Sequence, residues 1–338
     1  MNSEIQSRKE RWKKFYDGSD EVSRIVMISY FNGIGPAPIP FDGDYELRHD
    51  WILKRYERMI DNLEWLNDDA VPYLSMATGT EIFAEAFGCE VKYPNDTNPF
   101  AMPLINDLRE ISSIKVPDWS NTRLADLMEM AKRIRDEAGE DALLKITDVQ
   151  SPADIAALVL NKEEFFVGLL TQPQAVVELM EKTYILLTGF MDAWFKEFGH
   201  AFIAHYPDYY MDYGISLSED EVGSINPEIF ENYFLPFLNR LSEHYGQIGI
   251  HCCADSIHQW ENFAKIKNLK VLNIVQPPDV CQKSHRFFEN VCCQMPHHYL
   301  ESPPDTWKTQ MPKNARIIYK IRECKDKDEA LYMLDALR

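Results

Sequence analysis

The sequence lacks any apolar run approaching the roughly 18 residues that a membrane span needs, and its start, MNSEIQSRKERWKK, lacks the apolar core of a signal segment. Both absences lead to the expectation of a cytoplasmic protein with no membrane partner, whose thiols stay reduced. Positive charge is also short. Lysine and arginine number 35 against 54 acidic residues, a net charge of −19. That field repels a phosphate backbone, so no nucleic-acid partner is expected. There is no CxxC pair. The odd count of seven cysteines, with Cys252-Cys253 and Cys292-Cys293 vicinal, is neither a disulfide framework nor a zinc ribbon. Finally, no repeat, low-complexity tract or interdomain linker divides the chain. One domain over 1–338 is expected, with 1–24 as an N-terminal helical extension.

What is present is ordinary globular composition, 45% apolar and 26% charged, in a chain long enough to bury a large core without staples. Apolar runs of strand length recur at Ile25–Tyr30, Val71–Met76, Leu143–Asp148, Tyr209–Gly214, Gln247–Cys252, Val271–Gln276, Asn290–Met295 and Arg316–Ile321. Several are continuous, as parallel strands covered on both faces must be. Most are separated by helical periodicity: Trp51 to Leu66, Thr122 to Ala138 closed by Gly139, a helix entered through Asn226-Pro227 and closed by Gly246, and a last one capped by Asp326. Eight strands in that alternation predict an α/β protein, a (β/α)8 TIM barrel. The basic segment Arg8 to Tyr16 reads as a helix packing Trp12 and Phe15 on the barrel. The Pro-rich stretch Gly33 to Pro40 reads as a lid or end cover.

The segment QIGIHCCAD carries the most chemistry. Residues i and i+2 of a strand face one side, so His251 and Cys253 converge at the C-terminal end of their strand, where barrels place their sites. Imidazole nitrogen and thiolate sulfur both suit zinc. Cys324 closes the last strand at the same rim. Three protein ligands with one open position would be a catalytic arrangement. Cys292 and Cys293 compete for the third place, whereas Cys89 and Cys281 read as packing. The bland alternative is a polar rim residue beside a buried thiol.

Other strand-end residues are candidate pocket groups. Glu81 follows the second strand, Asp148 and Gln150 the third, Asp212 and Ser216 the fourth, and Gln276 the sixth. Glu81 and Asp148 are the candidate catalytic carboxylates, although a carboxylate there also caps a following helix. Tyr30, Tyr209, Tyr210 and Tyr213 could form an aromatic wall, or simply fill the core. His297 and His298 read as a surface pair.

Five segments carry a family resemblance: ATGTEIFAEAFGCEV (77–91), ITDVQSPADIAALVLNKEEFFVGLLTQP (146–173), SINPEIFENYFLPFLNRL (224–241), IGIHCCAD (248–255) and the closing strand with Cys324. With them the chain resembles the uroporphyrinogen decarboxylase superfamily, and within it the zinc-dependent, cobamide-linked methyltransferases. That branch carries a His-x-Cys and a distant Cys that bind zinc, which implies His251, Cys253 and Cys324 here. It further implies Zn2+, a corrinoid carried by a partner protein, and methyl transfer to or from a small thiol or methoxylated substrate. Two departures are visible. The first strand, RIVMISYFNGIGP, has none of the arginines that grip porphyrinogen carboxylates, and no cationic cradle is evident, so porphyrinogen decarboxylation is not expected. Ala254 also stands where the branch usually has glycine. The remaining alternatives are a metal-free lyase, which would show cationic residues converging on the pocket, and a non-catalytic binding barrel.

Overall fold

The structure is a computed structural model that describes residues 3–38, 45–76, 78–94, 98–296, 304–321 and 324–338. Its frame is a set of parallel strands: β1 (Arg24–Ile28), β2 (Tyr73–Ser75), β3 (Leu143–Lys145), β4 (Ile215–Ser218), β5 (Ile248–Cys252), β6 (Leu269–Ile274), β7 (Cys293–Gln294) and β8 (Ile317–Ile321). Six of them form one sheet in the order β1-β8-β7-β6-β5-β4. The others, β2 and β3, continue into a short hairpin of Phe202–Ile203 and Tyr210–Met211. The strands are buried on both faces, which is why their sequences run apolar without alternation.

Two seams join the sheets. On one side Gln150 bridges Ser218 in parallel register, and Ser218 N donates to Val149 O at 2.9 Å. On the other, carboxylates do the work of a ladder. Asp69 Oδ2 accepts from Val26 N and Asp68 Oδ2 from Ile28 N, each at 2.7 Å. Arg8 and Arg11 pair with these two carboxylates, which ties the first helix, Ser3–Tyr16, to the seam. Trp12 and Phe15 are fully buried against the sheet, as the aromatic spacing predicts.

The expected fourth strand is displaced. Tyr209–Gly214 is not a barrel-type strand: Tyr210–Met211 pairs antiparallel with Phe202–Ile203, and the parallel strand is Ile215–Ser218. The break between them is Gly214, whose φ of +105 an L side chain rarely adopts. The seventh strand is shorter than expected, beginning at Cys293.

The helices keep most of their expected boundaries. Thr122 caps Arg123–Ala138 through Leu124 N, and Gly139 at φ +102 closes it. Asp326 caps Lys327–Leu337. The helix near Trp51 starts earlier, as Tyr45–Asn62. The run entered through Asn226 and Pro227 contains a π-helical turn at Phe230–Phe234 that periodicity alone does not reveal. Among the described residues no helix is long and apolar enough to cross a membrane. The pair His297-His298 lies outside the described residues, as do the last two of Gly33 to Pro40.

Candidate metal centre

Strand register builds the site. In the β4–β5 pair Ser218 stands beside His251, so the residues two further along, Asp220 and Cys253, also meet. Cys253 N donates to Asp220 Oδ1 at 2.6 Å. Asp220, His251 and Cys253 each place a donor atom within 4.8 Å of the other two. Cys252, between His251 and Cys253, is fully buried, as alternation requires.

On the other side of β5, Asn273 of β6 is in register with His251. Its amide nitrogen donates to Met295 O at 2.7 Å, which turns its Oδ1 toward His251 Nδ1 at 2.6 Å. An amide oxygen only accepts, so Nδ1 carries the proton and Nε2 keeps its lone pair. This is the tautomer that a metal ligand requires. Burial pulls the imidazole below its ordinary pKa, against the Asp220 carboxylate and Asn273, which hold it up. Tyr206 packs edge-on to the ring at 4.7 Å. Gln276 donates to Ala254 O at 2.8 Å and Cys253 O at 3.2 Å, pinning the loop that presents the thiol.

The electrostatics call for a cation. Although Cys253 is exposed as a residue, its sulfur is partly shielded from water, and that desolvation and then Asp220 push the thiol up to about 12, the wrong direction for a nucleophile or a ligand. A divalent ion reverses that logic by binding the thiolate directly. Nitrogen, sulfur and carboxylate oxygen together are a zinc-type donor set, and the residues present fit the ion. Asp220 itself is steadied from below: its backbone N and that of Glu221 donate to the buried Asp154 carboxylate at 2.8 and 3.0 Å.

Among the described residues, Asp220 supplies a third donor side chain beside His251 and Cys253. Cys324 is buried in a smaller apolar cluster with Ile28, Tyr30 and Ile321. Cys292 and Cys293 lie at the start of β7, lining a hollow with Gly246 and Gln247, which precede β5. They are at the opposite end of the strands from His251.

The other expected pocket residues divide. Asp148 is linked to the donor group through His205 and Ser218, which stands beside His251, and Glu81 feels the charge of Asp148. Burial pushes Asp148 up to about 7, against Lys145, with Asp220 adding to the rise. Burial likewise raises Glu81 to about 7, and Asp148 contributes. His205 Nε2 is 3.7 Å from Asp148 Oδ1 and 3.0 Å from Ser218 Oγ. Gln150 is buried in the seam beside Ser218. By contrast, Asp212 and Tyr213 precede β4 and contact Gln247, so they lie at the far end, a consequence of the displaced fourth strand. Ser216 is fully buried and shares a hydrogen bond with Tyr209 at 2.9 Å. Gly249 makes that possible, because any Cβ there would fall 2.0 Å from the Tyr209 hydroxyl. Tyr30 packs edge-on to Trp65 at 5.3 Å.

One group escaped the sequence reading. Lys145 of β3, Lys320 of β8 and Arg55 of the Tyr45–Asn62 helix surround Asp208. Lys145 reaches Oδ1 at 2.6 Å and Lys320 pairs with Oδ2. Burial alone would raise the Asp208 carboxyl, but Lys145, Lys320 and Arg55 outweigh it and hold the group well below its ordinary value. The expectation that no cationic cradle exists is corrected here. Its members are single residues on separate elements, so no local motif announces them.

The chain belongs to the uroporphyrinogen decarboxylase family, whose model matches residues 69–294, more than half of the chain. The match takes in Asp220, His251 and Cys253 and ends before β8. Among solved structures the chain is similar to a methyltransferase from Methanosarcina mazei, with a TM-score of 0.68, 13% identity and 98% of each chain covered. At that identity the likeness is one of fold. A search of curated proteins finds no match.

Proposed function

We propose that the protein is a zinc-dependent methyltransferase that moves a methyl group between a corrinoid protein and a small thiol or methoxylated substrate. The observation that carries this reading is the preset donor group: His251 locked with Nε2 free by Asn273, in reach of Cys253 and Asp220. The fold likeness to a methyltransferase supports it. In this reading 1–338 is one closed barrel in the cytoplasm, with 1–24 as its extension. His251 and Cys253 hold the ion. Asp220, as placed, and Cys324, as the resemblance implies, compete to complete the set.

A bound zinc would supply Lewis acidity, keeping a substrate thiol ionised or polarising a methoxy oxygen. The chain's own residues do the rest. Asp148 and Glu81, both held near pH 7, take the proton of an acceptor thiol or return one to a departing alkoxide. Asn273 and Gln276 fix the ligands, and Gln150, whose buried Oε1 accepts no hydrogen bond from the described chain, offers an acceptor to a substrate donor. Asp212, Tyr213 and Ser216 have no part in this arrangement, whereas Tyr30 lines a hollow with Phe31, Tyr73, Asp208 and Lys320.

A metal-free lyase is the second reading, favoured by the cations around Asp208. Metal content by plasma mass spectrometry separates the two. One zinc per chain, lost in Cys253→Ser, supports the methyltransferase, and the loss or retention of zinc in Asp220→Asn and Cys324→Ser identifies the third donor. A chain that stays metal-free after reconstitution would sink the methyl-transfer mechanism.

A further inference from the structure

Among the described residues, three cations converge on a single carboxylate inside a protein whose net charge is −19. The side chains of Lys145, Lys320 and Asp208 are only 21%, 13% and 15% exposed. That is too buried for water to solvate the surplus charge fully and too open for a sealed structural pair. Asp208 is already spent, with one oxygen on each lysine. Arg55 is left with the Tyr73 hydroxyl at 2.8 Å and with the faces of Phe31 and Tyr73 at 4.3 and 4.8 Å. Ring faces neutralise nothing, and one hydrogen bond occupies one of a guanidinium's five donors. A planar fork held between aromatic faces is a preorganised partner for a carboxylate, which it grips through two parallel bonds.

The location is as telling as the charge. Lys145 ends β3 shortly before Asp148, whose Oδ1 lies 3.7 Å from His205 Nε2, and that nitrogen is 3.0 Å from the Oγ of Ser218, the residue in register with His251. The surplus cations and the metal donors therefore flank one carboxylate, Asp148, and open on the same end of the strands.

We propose that Arg55, Lys145 and Lys320 bind an acidic group of the substrate, so that the substrate is a small organic carboxylate whose reacting sulfur or oxygen faces His251 and Cys253. The word substrate here rests on the methyl-transfer reading; the anion site itself does not. Asp208 then has a second purpose. It spaces the two lysines and lowers the surplus charge so that the empty site folds, while leaving enough positive charge to select an anion.

The test uses the full chain after dialysis against a chelator, so that zinc plays no part. Propionate, butyrate and benzoate are titrated by calorimetry beside propionamide, butyramide and benzamide, which match them in shape but carry no charge. The carboxylates should bind saturably and at least roughly tenfold more tightly than their amides. Arg55→Met should remove most of that preference and Arg55→Lys restore part of it, while Arg58→Met on the same helix changes nothing. Asp208→Asn, which adds to the surplus charge, should tighten carboxylate binding. Equal affinity for acid and amide, no saturable binding by either, or a preference untouched by Arg55→Met would overturn the proposal. Carboxylate selectivity in a chain that never takes up zinc would uphold the anion site and discard methyl transfer. Zinc uptake without carboxylate selectivity would do the reverse.

Discussion

The donor group around His251 and the cationic group around Asp208 share one end of the strands, yet they are built on opposite plans. The first is compact in sequence: His251 lies on β5 and Cys253 just past its end, and Asp220 occupies the matching position beyond β4. Its geometry comes from strand register alone. The second is assembled from a helix, two strands and a hairpin turn, and its members meet only once these elements have packed together. Register can set metal ligands within a few ångströms before any substrate arrives, whereas charges gathered from distant elements depend on the whole fold. The first should therefore fail locally and the second globally.

Removal of a ligand is the largest test of that difference. Cys253→Ser should lower zinc affinity by more than about a hundredfold and abolish methyl transfer, while the urea midpoint of the metal-free protein stays close to wild type because Cys253 is exposed. Arg55→Met should show the opposite pattern, full zinc content with altered substrate affinity. If Arg55→Met also empties the metal site, the two groups are one unit and the comparison collapses.

Asp208→Asn probes the global side. It strips the partner from largely buried lysines, a change that typically costs about 3–5 kcal/mol. Denaturant unfolding should show a loss of that order, partly recovered by added propionate, which would replace the missing negative charge. An unaltered midpoint would mean that water already solvates the lysines.

Glu81 offers a smaller effect with a definite sign. Burial raises its carboxyl from 4.5 to about 7 in the folded chain. Between those values the native state binds a proton that the unfolded state has released, so stability falls as pH rises through the window and the loss is complete above it. The shift corresponds to roughly 3 kcal/mol. Glu81→Gln should therefore match wild type near pH 5 and exceed it by up to that amount at pH 8, measured on metal-free protein. A mutant advantage that is the same at both pH values would show that Glu81 is not titrating in this range.

Legibility followed the same divide. Parallel strands, most helix caps and the His251–Cys253 pair were readable because each depends on neighbours within a few residues. Asp212 and Tyr213 were assigned to the wrong end because the apolar run Tyr209–Gly214 resembles a strand. Only the backbone freedom of Gly214 marks the turn that delays β4 to Ile215, and that same error hid Asp220 as the residue beyond the strand. Lys145, Lys320 and Arg55 carried no signal, since a lone cation on a strand or helix is ordinary. What sequence could not supply was the pairing of elements far apart in the chain.

Asn273 is where the compact plan should prove most exacting. It is fully buried, with its amide shared between His251 Nδ1 and Met295 O, and so it dictates which nitrogen of His251 is free. Asn273→Ala leaves the imidazole able to rotate and to exchange tautomers, and a positioning partner of this kind typically contributes about 10–100-fold in metal affinity. Asn273→Asp keeps the acceptor and should restore zinc binding, although Met295 O loses its donor and stability drops by about 1–3 kcal/mol. Replacing zinc with cobalt gives the readout, because the visible spectrum of the bound ion reports ligand geometry. A spectrum perturbed in Asn273→Ala and recovered in Asn273→Asp would place the control of the site in β6. An unperturbed spectrum in both would mean that Tyr206 and the strand backbone suffice to hold the ring.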